Sequence, residues 1–366
     1  MPSSSLKSWR IYTWLLALLV VNVLAVIFVP ITPDEYSRYA LATGWLGDGR
    51  YDYAWPPLLI VINALTSFFD GDLWVNRFVF LGLEFVLGLY VARNFTIKMG
   101  AEGILLIPYA ALVLSLASPQ GLMIVLIPAY IISILRNKLA AASFIALMVY
   151  LVNPTCVLIF VSCGIIGFSV KKFQHGYVLI SSSLLALFSL QILAFFVWLS
   201  GDSFMPTLTS NGPLNLFLGN NDHPLSYRGV AEAEILDANT PAQYIGLVKD
   251  FFINNPLDFG LNLYRKLVYW LAPFDHFRSG IGAGVQNILF VYVGFAQLIC
   301  YYVFVREYRN LPRSEMKIAF LIFFLAWIAY SIFFVKMRFR IPFDILLYVS
   351  AIAAVKNNAN FKPNVN

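Results

Sequence analysis

The chain has 366 residues, of which 60% are hydrophobic, 16% aromatic and 12% charged, with a mean hydropathy of +0.75. A soluble domain carries about 25% charged residues, so this composition excludes one and describes a polytopic membrane protein. The formal charge of +6 does not point to nucleic acid, because cations in such chains collect in cytoplasmic loops.

Lys7 and Arg10 precede an apolar run, Ile11–Val29, that is long enough to span and has no small-x-small cleavage site, which predicts an uncleaved first helix. The flanking charge sets the N-terminus in the cytoplasm and the next segment, 31–72, outside. That segment opens Thr32-Pro33-Asp34-Glu35-Tyr36-Ser37-Arg38. Thr32 and Glu35 have capping-box spacing and Pro33 falls at the first helical position, so a helix begins here. Asp34 and Arg38 then lie one turn apart on one face, projecting together just outside the membrane. Later in the same segment, Ala54–Phe69 is predicted to lie in or dip into the interface.

Further apolar runs are Leu73–Ala92, Gly103–Ala117, Leu122–Leu135, Leu139–Val152, Thr155–Val170, Tyr177–Leu199, Ile288–Val305, Ile318–Val335 and Ile341–Val355. With the first they predict about ten transmembrane helices. The runs beside Ser118-Pro119-Gln120 and Asn153-Pro154 are shorter than the roughly 17 residues of a straight span, so they tilt or dip in and return. Charge supports the alternation: the inner segments carry Arg93, Lys98, Arg136, Lys138, Lys171, Lys172, Arg306, Arg309, Arg313 and Lys317, while acids prevail in the outer ones. A second long outer segment, 200–286, starts with turn-rich sequence around Gly219-Asn220-Asn221. It reads as helical over Pro241–Phe252, breaks at Asn255-Pro256, and resumes as Leu257–Leu271 with Arg265 and Lys266 inside. The expected fold is therefore all-α, a single integral membrane domain over 1–366 with no internal repeat.

Cys156, Cys163 and Cys300 lie in apolar runs and read as small buried hydrophobes, and His175, His223 and His276 show no metal-ligand spacing. There is no nucleotide-binding motif, so chemistry outside needs a substrate that is already activated, such as a sugar on a polyprenyl phosphate. Transfer from such a donor requires a carboxylate to deprotonate the incoming hydroxyl and cations to hold the departing phosphate. Asp34 fits the base; its other reading is a favourable charge at a helix N-terminus. Glu35 is assigned the capping role before a catalytic one, and Gln is expected to replace it. Arg38, Arg265, Lys266, Arg338 and Arg340 are the candidate phosphate ligands. Arg265, Lys266 and the Lys336–Arg340 cluster oppose the positive-inside tendency, although each could be an interfacial anchor. Glu84 and Asp344 lie in or near spans, where a lone acid is costly, unless each pairs with Arg77 or a neighbouring polar group.

Thr32-Pro33-Asp34-Glu35-Tyr36-x-x-Tyr39-Ala40, then Pro56-Pro57-Leu58, Asn255-Pro256 with Lys266-Leu267, and Arg338-Phe339-Arg340-Ile341-Pro342 occur in this order along the chain. In this it resembles the GT-C glycosyltransferases of the protein O-mannosyltransferase and lipid A aminoarabinose transferase type. The resemblance implies inverting transfer of a sugar from a polyprenyl-phosphate donor, with Asp34 as base and outer Arg and Lys side chains on the phosphate. The acceptor would be a glycolipid, surface polysaccharide or protein, with membrane lipids and the lipid-linked donor as the other partners. It also implies a multi-pass protein of a bacterial plasma membrane whose site faces the periplasm or outside. No metal ligands are assigned, and metal dependence stays open. Gln120 stands where many members carry an acid. Two other readings stay open: a transporter or flippase of lipid-linked sugars, and a polysaccharide polymerase or ligase.

Overall fold

The computed structural model describes residues 31, 33–48, 57–68, 73–94, 118–169, 176–199, 211–226, 241–271, 314–333, 335 and 339–347, with isolated positions between 16 and 27 and between 291 and 305. Among the described residues there is no strand. The helices are α1 (Pro33–Asp48), α2 (Pro57–Ser67), α3 (Leu73–Asn94), α4 (Pro119–Leu135), α5 (Leu139–Val152), α6 (Thr155–Ser169), α7 (Gly176–Leu199), α8 (Asn211–Gly219), α9 (Pro241–Asn254), α10 (Pro256–Leu271) and α11 (Ser314–Ile332), followed by a helical segment at 339–347. The all-α class expected from the sequence holds. By length and composition α3 can cross a membrane, over Leu73–Val91, and shorter apolar segments lie in α2, α4, α5, α7 and α11. The expected spans at Ile11–Val29, Gly103–Ala117, Ile288–Val305 and Ile341–Val355 fall wholly or partly outside the described residues.

α4 is the axis of the bundle. Its residues 120–134 are buried on every side, as expected of a helix apolar all round, and it packs against α3, α5 and α11. The Ser118-Pro119 break is its start: the Gly121 N–H donates to Ser118 Oγ at 3.2 Å, and Pro119 occupies a position that needs no N–H. Its end is a reversal in which Asn137 takes a left-handed φ of 53° and the Lys138 N–H donates back to the Ser133 carbonyl at 2.9 Å. α5 follows at once, so the two helices form a tight hairpin.

The second break, Asn153-Pro154, has a similar local cause. Asn153 Oδ1 accepts the Thr155 N–H at 3.2 Å, while Nδ2 reaches the Tyr330 hydroxyl of α11 at 2.5 Å. α7 lies against α5 and α6. Gly164 makes the α6–α7 approach possible, because a Cβ there would stand 2.7 Å from Ile180 Cγ1. Tyr130 joins α4 to α7 through its hydroxyl, 2.8 Å from Ser182 Oγ and 2.9 Å from Ser183 Oγ. Cys156 and Cys163 are buried in this core; Cys300 lies outside the described residues. At one end of the bundle α1 packs on α2 and α3, and elsewhere α10 packs on α11. Those two docked helices carry Asp34, Glu35, Arg38, Arg265 and Lys266, five of the charged residues that the sequence singles out.

Candidate functional site

α1 starts at Pro33, as its sequence predicts, and the rest of its geometry corrects the expectation. Glu35, Arg38 and Ala42, spaced three and four residues apart, turn inward, while Tyr36 and Ser37 face out. Glu35 is 2% exposed and Arg38 3%, so Arg38 does not project into water beside the membrane. Both Glu35 oxygens meet Arg77 of α3: Nε lies 2.7 Å from Oε1 and Nη2 2.8 Å from Oε2. Arg77 Nη1 also donates to the Val26 carbonyl at 3.1 Å, and its guanidinium carbon lies 5.3 Å from the centre of the Trp74 ring. This fork-to-fork pair fastens α1 to α3 and to the run before it. Residue 34 lies in the first turn of α1, one turn before Arg38; the Asp34 side chain is outside the described residues.

A second polar cluster forms around α10. Lys266 is fully buried, and its Nζ donates to Asn220 Oδ1 at 2.7 Å and to the Ile332 carbonyl, at the end of α11, at 3.4 Å. Asn220 is itself fixed, its Nδ2 donating to the carbonyls of Leu216 (2.7 Å) and Ile332 (2.8 Å). Asn262, one turn before Lys266, donates to the Gly219 carbonyl at 2.7 Å. Every acceptor of the ammonium is neutral, and among the described residues no carboxylate pairs with it. Burial therefore pushes Lys266 down from a lysine's ordinary 10.5 to about 7.

One turn further along α10, the Trp270 carbonyl accepts from Arg340 Nη1. Arg340 Nε lies 2.7 Å from Asp344 Oδ2, and Asp344 Oδ1 accepts from Tyr301 at 3.2 Å. The Trp270 ring stacks on Tyr330 with centroids 5.3 Å apart, and Trp327 Nε1 donates to the Leu267 carbonyl at 2.9 Å. These contacts hold α10 against the end of α11 and the 339–347 segment.

The structure thus places Lys266 on α10 and Arg340 on the 339–347 segment that bonds to α10, and Glu35 and Arg38 together on α1. Arg265 is exposed, beside Lys266 in sequence but on a different face. Arg338 lies outside the described residues. Asp344 is accounted for by Arg340, and Arg77 by Glu35, so neither meets Glu84. Glu84 is buried on α3 with no hydrogen-bond partner on either oxygen among the described residues. Sequence reasoning missed Asn220 and Asn262: the first reads only as part of a turn, the second as one polar residue in an amphipathic pattern. Among the described residues, no group of three His, Cys, Asp or Glu gathers that could hold a metal. Comparison of the chain with family models, with curated proteins and with solved structures finds no match.

Proposed function

We propose that this chain is a multi-pass membrane glycosyltransferase with about ten spans, of the inverting GT-C type, acting on the outer face of the membrane. It moves a sugar from a polyprenyl-phosphate donor to a hydroxyl acceptor. The observation that carries this reading is Lys266, a buried cation in the second long outer segment with neutral acceptors only. A buried charge without a counter-charge is costly, and an anion delivered by the substrate removes that cost.

In the proposed reaction Asp34 takes the proton of the acceptor hydroxyl. The acceptor oxygen bonds to the anomeric carbon, with inversion, as the bond from that carbon to the phosphate oxygen breaks. The polyprenyl phosphate leaves with the electron pair and gains negative charge. Lys266 and Arg340 face that growing charge, so their interaction strengthens toward the transition state. Arg38, Arg265 and Arg338 are the remaining candidate cations on the outer side.

The test incubates membranes with a labelled polyprenyl-phosphate sugar and follows label into extractable glycolipid, polysaccharide or protein. Asp34→Asn keeps the helix start and removes the proton acceptor, so turnover falls by about 10²–10⁴-fold. Equal turnover in wild type and Asp34→Asn refutes the catalytic role of the first outer helix.

Glu84 favours a second reading, a transporter of lipid-linked sugars, because an intramembrane acid without a partner is a common element of transport pathways. In proteoliposomes that reading requires movement of donor across the bilayer without acceptor, and loss of the movement in Glu84→Gln.

A further inference from the structure

α10 is built inside out for a helix on a water-exposed surface. Successive residues are set about 100° apart, which places Leu257, Leu261, Tyr264, Val268 and Leu271 along one stripe. All five are exposed, Leu257 by 76% and Tyr264 by 65%. The opposite face carries Asn262, Lys266 and Trp270, all buried. A surface helix in water shows the reverse arrangement. The preceding helix ends with Phe252 and Ile253 exposed in the same way, and α11, on which α10 packs, exposes Phe324, Ile328 and Ile332. Apolar exposure therefore runs from α9 across α10 to α11.

We infer that α10 lies in the plane of the outer membrane interface with this stripe in the acyl chains. Two features favour lipid over a second copy of the chain. The stripe spacing of four and three residues would suit a helix–helix seam, but a seam covers one stripe, and apolar side chains are exposed on α7 as well, at Leu184, Leu185, Phe188, Ile192 and Phe195. The flank also fits: Asp258 and Arg265, both exposed and seven residues apart, lie on one line along the axis beside the stripe. With the helix parallel to the membrane plane, both charges reach headgroup depth together. Opposite signs on that flank make insertion depend on apolar contact rather than on anionic lipid. This inference rests on the membrane reading but not on the transfer reaction.

The test uses nitroxide labels in phosphatidylcholine nanodiscs, on single-cysteine variants in a Cys300→Ser background; Cys156 and Cys163 are buried. Labels at Leu257→Cys, Tyr264→Cys and Val268→Cys are expected to relax faster with oxygen than with a water-soluble nickel chelate. Labels at Asp258→Cys and Arg265→Cys are expected to show the opposite order. Nickel dominance along the stripe, with oxygen dominance retained at Ile328→Cys on α11, overturns the inference and leaves the membrane reading standing. Nickel dominance at Ile328→Cys as well overturns both. Dipolar broadening at Tyr264→Cys that vanishes on dilution with unlabelled protein assigns the stripe to a second copy, and also overturns it.

Discussion

Two buried cations hold the docked helices of this molecule, and they are compensated differently. Arg77 donates two short hydrogen bonds to a carboxylate and a third to a carbonyl, and it lies over a tryptophan face. Lys266 meets an amide oxygen and a carbonyl. The first charge is balanced within the fold. The second has no counter-charge within the fold among the described residues, and burial disfavours its ionisation. Under the proposed function the contrast separates a fastening from a receptor, since a cation already neutralised has little left to offer a phosphate. Arg340 is of the first kind through Asp344, so in the proposed reaction its role is secondary to that of Lys266.

The largest effect expected from this contrast falls on the fastening. Glu35→Gln leaves the Arg77 charge buried without its carboxylate, and breaking such a pair costs about 3–5 kcal/mol. Denaturation in detergent measures that loss. The substitution therefore removes activity through folding, contrary to the tolerance expected from a capping role alone. An apolar double replacement, Glu35→Leu with Arg77→Met, recovers most of the stability.

Next in size is a change that makes the second site resemble the first. Asn220→Asp gives Lys266 a carboxylate partner and satisfies it internally. Charge-assisted hydrogen bonds contribute about 1.5–3 kcal/mol, so donor affinity falls by about ten- to a hundredfold. Binding of a labelled donor to purified protein reads this, with thermal unfolding as the control for fold. Unchanged donor affinity assigns Lys266 a purely structural role.

pH sharpens the same point. A phosphate that pairs with Lys266 raises its pKa above the free value of about 7, so binding takes up a proton above that pH. Donor affinity is expected to be flat below pH 7 and to fall above it by at most about tenfold per unit, while Lys266→Arg stays flat throughout. Stability of the empty protein moves the opposite way. Unfolded Lys266 binds more protons than folded between about 7 and the ordinary lysine range, so stability rises with pH across that window. The smallest effect serves as a control. Tyr130→Phe removes the hydroxyl shared with Ser182 and Ser183, costs about 1 kcal/mol, and leaves donor affinity unchanged.

The sequence by itself determined the helical class, the start of α1 at Pro33, the breaks at Ser118-Pro119 and Asn153-Pro154, and the two helices flanking Asn255-Pro256. These depend on caps, prolines and apolar runs, which act over a few residues and are read directly from the chain. Only the tertiary structure decided which charges meet. Glu35, read from the sequence as a capping residue, pairs across forty-two positions with Arg77, and Lys266 faces Asn220 rather than the headgroups. Helical periodicity shows that α10 has two faces but not which one is turned inward. Here the polar face is buried against α11, where the Ile332 carbonyl and the side chain of Asn220 supply the acceptors that the lysine needs.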